Sequence, residues 1–154
     1  MTARSPSKAK PGAGEVLTAC GLRCTRQREV VYDALRSTTR HPTAEELFDS
    51  VRRAEPGISL ATVYNTLDAL TGAGRARRLP AHSYGGPCRY DADVANHAHV
   101  LLEDGRIVDA PRSVSERLLE AMTPEMATEL ERIAGVRITG VRLTLIGEQT
   151  RSEA

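Results

Sequence analysis

Three helix starts stand in the first sixty residues of this chain, and their spacing restricts the front half to a small helical unit with short connections. Thr25 is placed to cap a helix over 26–36, RQREVVYDALR, in which Val30, Val31, Ala34 and Leu35 fall on one face. Thr43 with Glu46 three residues later forms a capping box and predicts a helix over 44–54 with Leu47, Phe48 and Val51 buried. Glu55-Pro56-Gly57 breaks it. Ser59 caps a third helix, along which Leu60, Val63, Leu67 and Leu70 recur on one face until Gly72 and Gly74 end it. A shorter helix over 13–20, stopped by Gly21, precedes the three.

The free face of the third long helix carries Ala61, Thr62, Tyr64, Asn65 and Thr66, small or hydrogen-bonding groups that let a partner approach closely. Residues 75–80 and 87–92 read as two short strands around a loop holding Tyr84, Gly85, Gly86 and Pro87. Two helices with a short connection, followed by a basic hairpin, predict a winged helix-turn-helix over 13–92, its second helix in the major groove and Arg75, Arg77 and Arg78 on phosphates. Charge agrees. Residues 1–80 carry 13 Lys/Arg against 8 Asp/Glu, whereas residues 81–154 carry 8 against 12. A basic front half suits nucleic acid.

Between the halves lies Asp91–Asp109, DADVANHAHVLLEDGRIVD. His97 and His99 are an i, i+2 pair, which an extended strand presents on one face, so both imidazoles can meet one metal ion, with oxygen ligands available from Asp91 and Asp109. His82 reads as an ordinary surface or core residue. Strands over 99–102 and 106–108 pair around Glu103-Asp104-Gly105. A helix over 113–122 buries Val114, Leu118, Leu119 and Met122. Another runs from Thr123-Pro124 to Gly135, and residues 136–146 alternate as a strand with a bulge at Gly140. This small α/β unit, 93–148, has a thin core for its size and is expected to dimerise, a twofold arrangement that matches a palindromic duplex. The class is α+β.

The remaining features exclude more than they assign. No apolar run approaches the ~18–20 residues of a membrane span. The leading MTARSPSKAKPGAG lacks the apolar core of a signal peptide, so residues 1–12 read as a disordered basic arm, 149–154 as a disordered tail, and the location as cytoplasmic. Cys20, Cys24 and Cys88 form no CxxC pair and read as free thiols.

Four blocks, GLRCTRQREVVYDAL, HPTAEEL, ISLATVYNTLDALTGAG and RYDADVANHAHVLLEDGRIVD, resemble the ferric uptake regulator family in order and spacing, and RITGVRLTLIGE extends the likeness. Within it the chain looks most similar to the peroxide-sensing, PerR-like branch: Asn65 stands where iron-uptake regulators usually have Arg, and a His precedes the 44–54 helix in HPTA. The resemblance implies a winged-helix repressor, dimeric through its C-terminal domain, that binds DNA when metallated. It implies regulatory metal ligands at His41, Asp91, His97, His99 and Asp109, and DNA contacts at Arg23, Tyr64 and Asn65, to which the free-face residue Thr62 is added. One departure matters. The family's four-cysteine structural zinc has no counterpart here, since LLEDGRIVD and the residues after it contain no cysteine; that zinc is expected to be absent.

Three imidazoles and two carboxylates suit Fe²⁺ or Mn²⁺, with Zn²⁺ or Ni²⁺ also accommodated, rather than Cu⁺. With Fe²⁺, the resemblance implies that peroxide oxidises His41 or His97 and releases metal and DNA. A metal joining His41 of the front half to His97 and His99 of the back half sets the angle between them. Cys88, three residues before Asp91, is close enough in sequence to replace a ligand, as in zinc-sensing relatives. Three other readings compete: a regulator of the same fold that senses iron, manganese, zinc or nickel supply; a small metalloenzyme built on two His and a carboxylate; and a DNA-binding fold that has lost regulation.

Overall fold

The computed structural model describes residues 11–79 and 86–148; residues 1–10 of the expected arm, the expected tail, His82 and most of the hairpin loop lie outside them. Helix α1 (Ala13–Ala19) ends where Gly21, at φ 72°, turns the chain so that Leu22 N–H donates to the Leu17 carbonyl at 3.0 Å. Only glycine adopts that φ without a Cβ penalty. Helix α2 (Arg26–Arg36) starts on Thr25, whose hydroxyl accepts from Arg28 N–H at 3.3 Å. It buries Val31, Tyr32 and Leu35, while Val30 and Ala34 pack at the margin.

Both arms of the capping box form. Glu46 N–H donates to Thr43 Oγ1 at 3.1 Å, and Thr43 N–H donates to Glu46 Oε2 at 3.0 Å. Helix α3 (Ala44–Val51) is three residues shorter than expected, because the backbone tightens into a turn after Val51 that brings Ile58 into the core. Helix α4 (Leu60–Gly72) begins on Ser59, which accepts from Thr62 N–H at 3.1 Å. Thr66 is buried rather than free: it lies between Val63 and Leu70 on the core side, and its hydroxyl donates back to the Thr62 carbonyl at 2.8 Å. The four helices share one apolar core, closed by Tyr90.

Strands β1 (Arg77–Leu79) and β2 (Arg89–Asp91) pair antiparallel, with Arg77 opposite Asp91. This hairpin beside α3 and α4 completes a winged helix-turn-helix. The following unit is a three-stranded sheet in the order β4-β3-β5. Strands β3 (His99–Leu102) and β4 (Ile107–Asp109) are antiparallel with His99 opposite Asp109, one residue later than expected on the second strand. Strand β5 (Thr144–Gly147) runs parallel to β3. A parallel pair needs a long crossover, supplied by α5 (Arg112–Glu120) and α6 (Pro124–Ala134).

Two expectations fail in this half. The alternating run 136–146 is strand only over its last residues, and 136–143 forms no strand, its one bond to the sheet among the described residues being the Leu143 carbonyl accepting from His99 N–H at 3.0 Å. On α5, Val114 is 40% exposed and Leu118 and Leu119 only half-buried; the buried residue is Ser115, whose hydroxyl accepts from Ala98 N–H at 3.0 Å. The thin core is real: α6 buries nothing, and Met126, Leu130 and Ile133 stand exposed. Leu79, Leu101 and Ile107 form a small second cluster joining the hairpin to the sheet. No helix among the described residues is long and apolar enough to cross a membrane.

Candidate metal centre and DNA-facing surface

Strand β2, the loop before α3 and the β3–β4 pair converge on one spot. His41 stands in that loop, 2% exposed, at φ 47°. A left-handed conformation costs a non-glycine residue about 1–2 kcal/mol, so the surroundings must hold it. They do: Arg89 donates to the His41 carbonyl at 2.9 Å, and Tyr90 N–H donates to the Pro42 carbonyl at 3.0 Å. Asp91, on the same strand face as Arg89, is 5% exposed. His99 and Asp109 face each other across the β3–β4 ladder. His97 sits just before β3, and Ala98, between the two histidines, is fully buried on the opposite side.

The five residues form two overlapping groups, His41–His99–Asp109 and Asp91–His97–His99, in each of which the donor atoms lie within 4.8 Å of one another. His41 Nε2 is 2.7 Å from Asp109 Oδ1. His97 Nε2 is 3.1 Å from that atom and 3.3 Å from Asp91 Oδ2. His99 Nε2 is 3.6 Å from Asp91 Oδ2 and 3.5 Å from Asp109 Oδ1. Burial pushes the Asp91 carboxyl up, but the His99 imidazole, the Asp93 N–H and the His41 and His97 rings outweigh it and hold it below its ordinary value.

Two features of this cluster fit a cation. First, His41 Nδ1, Asp91 Oδ2 and His99 Nε2 are buried with no hydrogen-bond partner, and unpartnered buried polar atoms are costly. Second, His97 Nδ1 lies 2.8 Å from the Ala95 carbonyl, which can only accept. Nδ1 is therefore the donor there, which turns Nε2 toward two carboxylates. That arrangement needs either an imidazolium or a positive ion among them. Cys88 takes no part in either group. It stands just before β2, beside Arg78.

The DNA-facing candidates stand on α4 and on the loop before α2. Arg23 and Asn65 are exposed, and Thr62 is partly so. The Tyr64 hydroxyl donates to Glu45 Oε1 on α3 at 2.6 Å; that bond lowers the Glu45 carboxyl and raises the Tyr64 phenol. The basic edge is less free than expected. Arg75, though exposed, donates to Cys20 Sγ at 2.7 Å, and Arg77 donates to the Val94 carbonyl and to Asn96 Oδ1, so both hold protein groups. Arg78 is exposed.

The sequence reading passed over Arg89 and Ser115, and gave Glu46 its capping role without its bond to Arg89. Arg89 had a signal: it stands two residues before Asp91 and shares its strand face.

With this geometry in hand, the comparisons are informative. The model of the ferric uptake regulator family matches residues 19–146. The ferric uptake regulation protein of Brucella abortus biovar 1 (strain 9-941) is 32% identical over 146 residues, covering 93% of this chain and 96% of that one. The peroxide-responsive repressor PerR of Staphylococcus aureus (strain Mu50 / ATCC 700699) is 36% identical over 112 residues, covering 70% and 74%. The solved structure of a zinc-bound manganese uptake regulator superposes with a TM-score of 0.61 at 28% identity, covering 90% of this chain and 99% of that one.

Proposed function

This chain belongs to the ferric uptake regulator family, and from that premise we propose that it is a repressor whose DNA affinity is set by a metal ion at His41, Asp91, His97, His99 and Asp109, and whose metal is lost on exposure to peroxide. The family's members are metal-responsive, DNA-binding, dimeric transcriptional regulators rather than enzymes.

One observation carries the site: three buried polar atoms without partners belong to a single cluster drawn from both halves of the chain. The nitrogen and oxygen donor set favours Fe²⁺ or Mn²⁺, with Zn²⁺ accommodated. Bound Fe²⁺ supplies the electrons that cleave peroxide. The chain supplies the oxidisable rings. The His97 side chain is 11% exposed and that of His41 2%, so His97 is the ring a small oxidant reaches more readily. Oxidation of either ring removes a ligand, and His41 is the only one of the five contributed by the loop before α3. Losing the His41 tie loosens residues 13–92, the DNA-binding unit, from residues 93–148, the dimerisation and sensing unit, and leaves Asp91 as the front half's remaining ligand.

On DNA, Asn65, Tyr64 and Thr62 of α4 face the major groove and Arg23 the backbone, with two copies on a palindromic operator in the cytoplasm. Tyr64 must then give up its bond to Glu45 or carry it to the interface.

A regulator of metal supply is the second reading, and the match to the Brucella abortus protein over nearly the whole chain favours it. Against the zinc-sensing version stands Cys88, which belongs to neither group of candidate ligands. The deciding experiment measures operator binding by purified protein with Mn²⁺ or Fe²⁺, then adds peroxide and reads histidine peptides by mass spectrometry. Loss of binding only in the Fe²⁺ sample, with one oxygen added to a His97 or His41 peptide, is expected. Fe²⁺-loaded protein that keeps its operator through peroxide refutes the sensing role and leaves the metal-supply reading.

A further inference from the structure

Arg89 makes bonds that neither the winged helix nor the five candidate ligands require. Its side chain is 16% exposed. Nε donates to the Gly105 carbonyl at 2.9 Å, Nη1 to the His41 carbonyl at 2.9 Å and to Glu46 Oε2 at 3.0 Å, and Nη2 to Glu46 Oε1 at 3.4 Å. These acceptors lie in three places: the β3–β4 turn, the loop that carries His41, and the first turn of α3. Two belong to the front half and one to the back half.

We infer that Arg89 is a positioning residue for the metal centre, a strap that sets His41 against the His99–Asp109 hairpin before any ion binds; the inference rests on the metal-centre reading above. Three observations support it. His41 is held at an unfavourable φ of 47° by a loop whose carbonyl Arg89 grips. Gly105, at φ 79°, forms the turn of the strands whose paired ends are His99 and Asp109, so gripping its carbonyl sets where those ends lie. Finally, a cleft of about 1040 Å³ separates α2 and α3 from the β3–β4 hairpin at this level, lined among others by Thr38, Ser50, Arg106 and Val108. Apolar packing does not fill the gap, so the guanidinium that bridges it carries much of the register between the halves. Only a planar fork can serve three separated acceptors; an ammonium is a point donor. Glu46 locks the fork in place while its Oε2 also accepts from Thr43 N–H.

Outer-shell partners of metal ligands typically change metal affinity 10–100-fold when removed. The test is calorimetric titration of Mn²⁺ into the full chain as wild type, Arg89→Gln, Arg89→Lys and His99→Ala, with circular dichroism confirming that each is folded at the titration temperature. Arg89→Gln and Arg89→Lys are both expected to weaken Mn²⁺ about 10–100-fold, and lysine not to rescue. A purely structural arginine would lower the unfolding midpoint and leave the affinity of the folded protein unchanged, and that result overturns the inference. Should the Arg89 variants not fold, Glu46→Gln, which keeps the cap acceptor and removes the charge that locks the fork, decides: weaker Mn²⁺ binding supports the strap, unchanged binding overturns it. Wild type that binds Mn²⁺ no better than His99→Ala overturns the metal-centre reading itself, and the strap with it.

Discussion

Replacing Ile133 with Asp should break the dimer and leave the protomer intact. Met126, Leu130 and Ile133 follow one another at i, i+4 and i+7 on α6, and are 47%, 46% and 67% exposed. An amphipathic helix whose apolar stripe stays about half open or more among the described residues is suited to meet a partner. Full burial of an Ile side chain is worth about 1.5–3 kcal/mol. With two-thirds of that surface open in the protomer, covering it gains about 1–2 kcal/mol per copy, and a twofold interface uses the residue twice. The loss is about 2–4 kcal/mol, or roughly 30- to 700-fold in the dimer dissociation constant at 1.4 kcal/mol per decade. Burying the new carboxylate adds to it. Sedimentation equilibrium over a concentration series reads the constant directly, with Arg132→Ala as a control on the same helix away from the stripe. Circular dichroism should match wild type, because little of Ile133 is buried in the protomer. A dissociation constant within threefold of wild type would refute the assignment of this stripe to the interface.

Three further outcomes are expected. Thr43→Ala removes one arm of a complete capping box and should cost the metal-free protein about 1 kcal/mol in denaturant unfolding; an unchanged midpoint would mean that the loop geometry, not the cap, starts α3. Asn65→Ala should lower discrimination by about 1–3 kcal/mol at one operator position, whereas Arg23→Ala should weaken all sequences alike and reduce the salt slope by about 1; both are read by binding titrations at several salt concentrations, and equal effects on all sequences from both variants would remove Asn65 from base readout. The Cys24 thiol donates to Glu29 Oε1 at 3.0 Å, and that bond raises its pKa. Because the thiolate is the reactive form, Glu29→Gln should speed alkylation of Cys24 between pH 7 and 9; an equal or slower rate contradicts the pairing.

What could be read from residues alone was whatever residues decide locally. Thr25, Thr43 and Ser59 start helices through bonds to backbone groups three positions away, a range over which a sequence window contains every participant. Most of the failures involve a distant partner. Residues 136–143 alternate as a strand does, but alternation reports which side chains prefer burial, not whether a neighbouring strand exists to accept the backbone bonds. Thr66 looked solvent-facing because it is polar, yet its hydroxyl is satisfied by its own helix, and its position between Val63 and Leu70 sends it inward. Arg77 looked like a phosphate ligand until Val94 and Asn96, 17 and 19 residues on, took its donors. Arg89 went unread because its acceptors lie 16, 43 and 48 residues away.

The same distinction bears on how the metal site keeps its shape. All three cysteines precede Asp91, so the strands and helices of the unit that presents His99 and Asp109 carry no cysteine of their own. That sheet is held instead by β3, which pairs on both edges, by the Ser115 hydroxyl on Ala98 N–H, and by Arg89 on the turn. None of these is a strong clamp: a hydrogen bond contributes about 0.5–1.5 kcal/mol net, and the apolar cluster beneath is only Leu79, Leu101 and Ile107. The metal-free hairpin is therefore a low-stability element whose opening should fall well below global unfolding. An ion that binds only the closed arrangement stabilises it by mass action, and it does so most where the closed state is least secure without it. A weakly braced sheet is thus the condition for a metal to act as a switch here, and a fully braced one would hold His41 against the hairpin whether or not the ion were present.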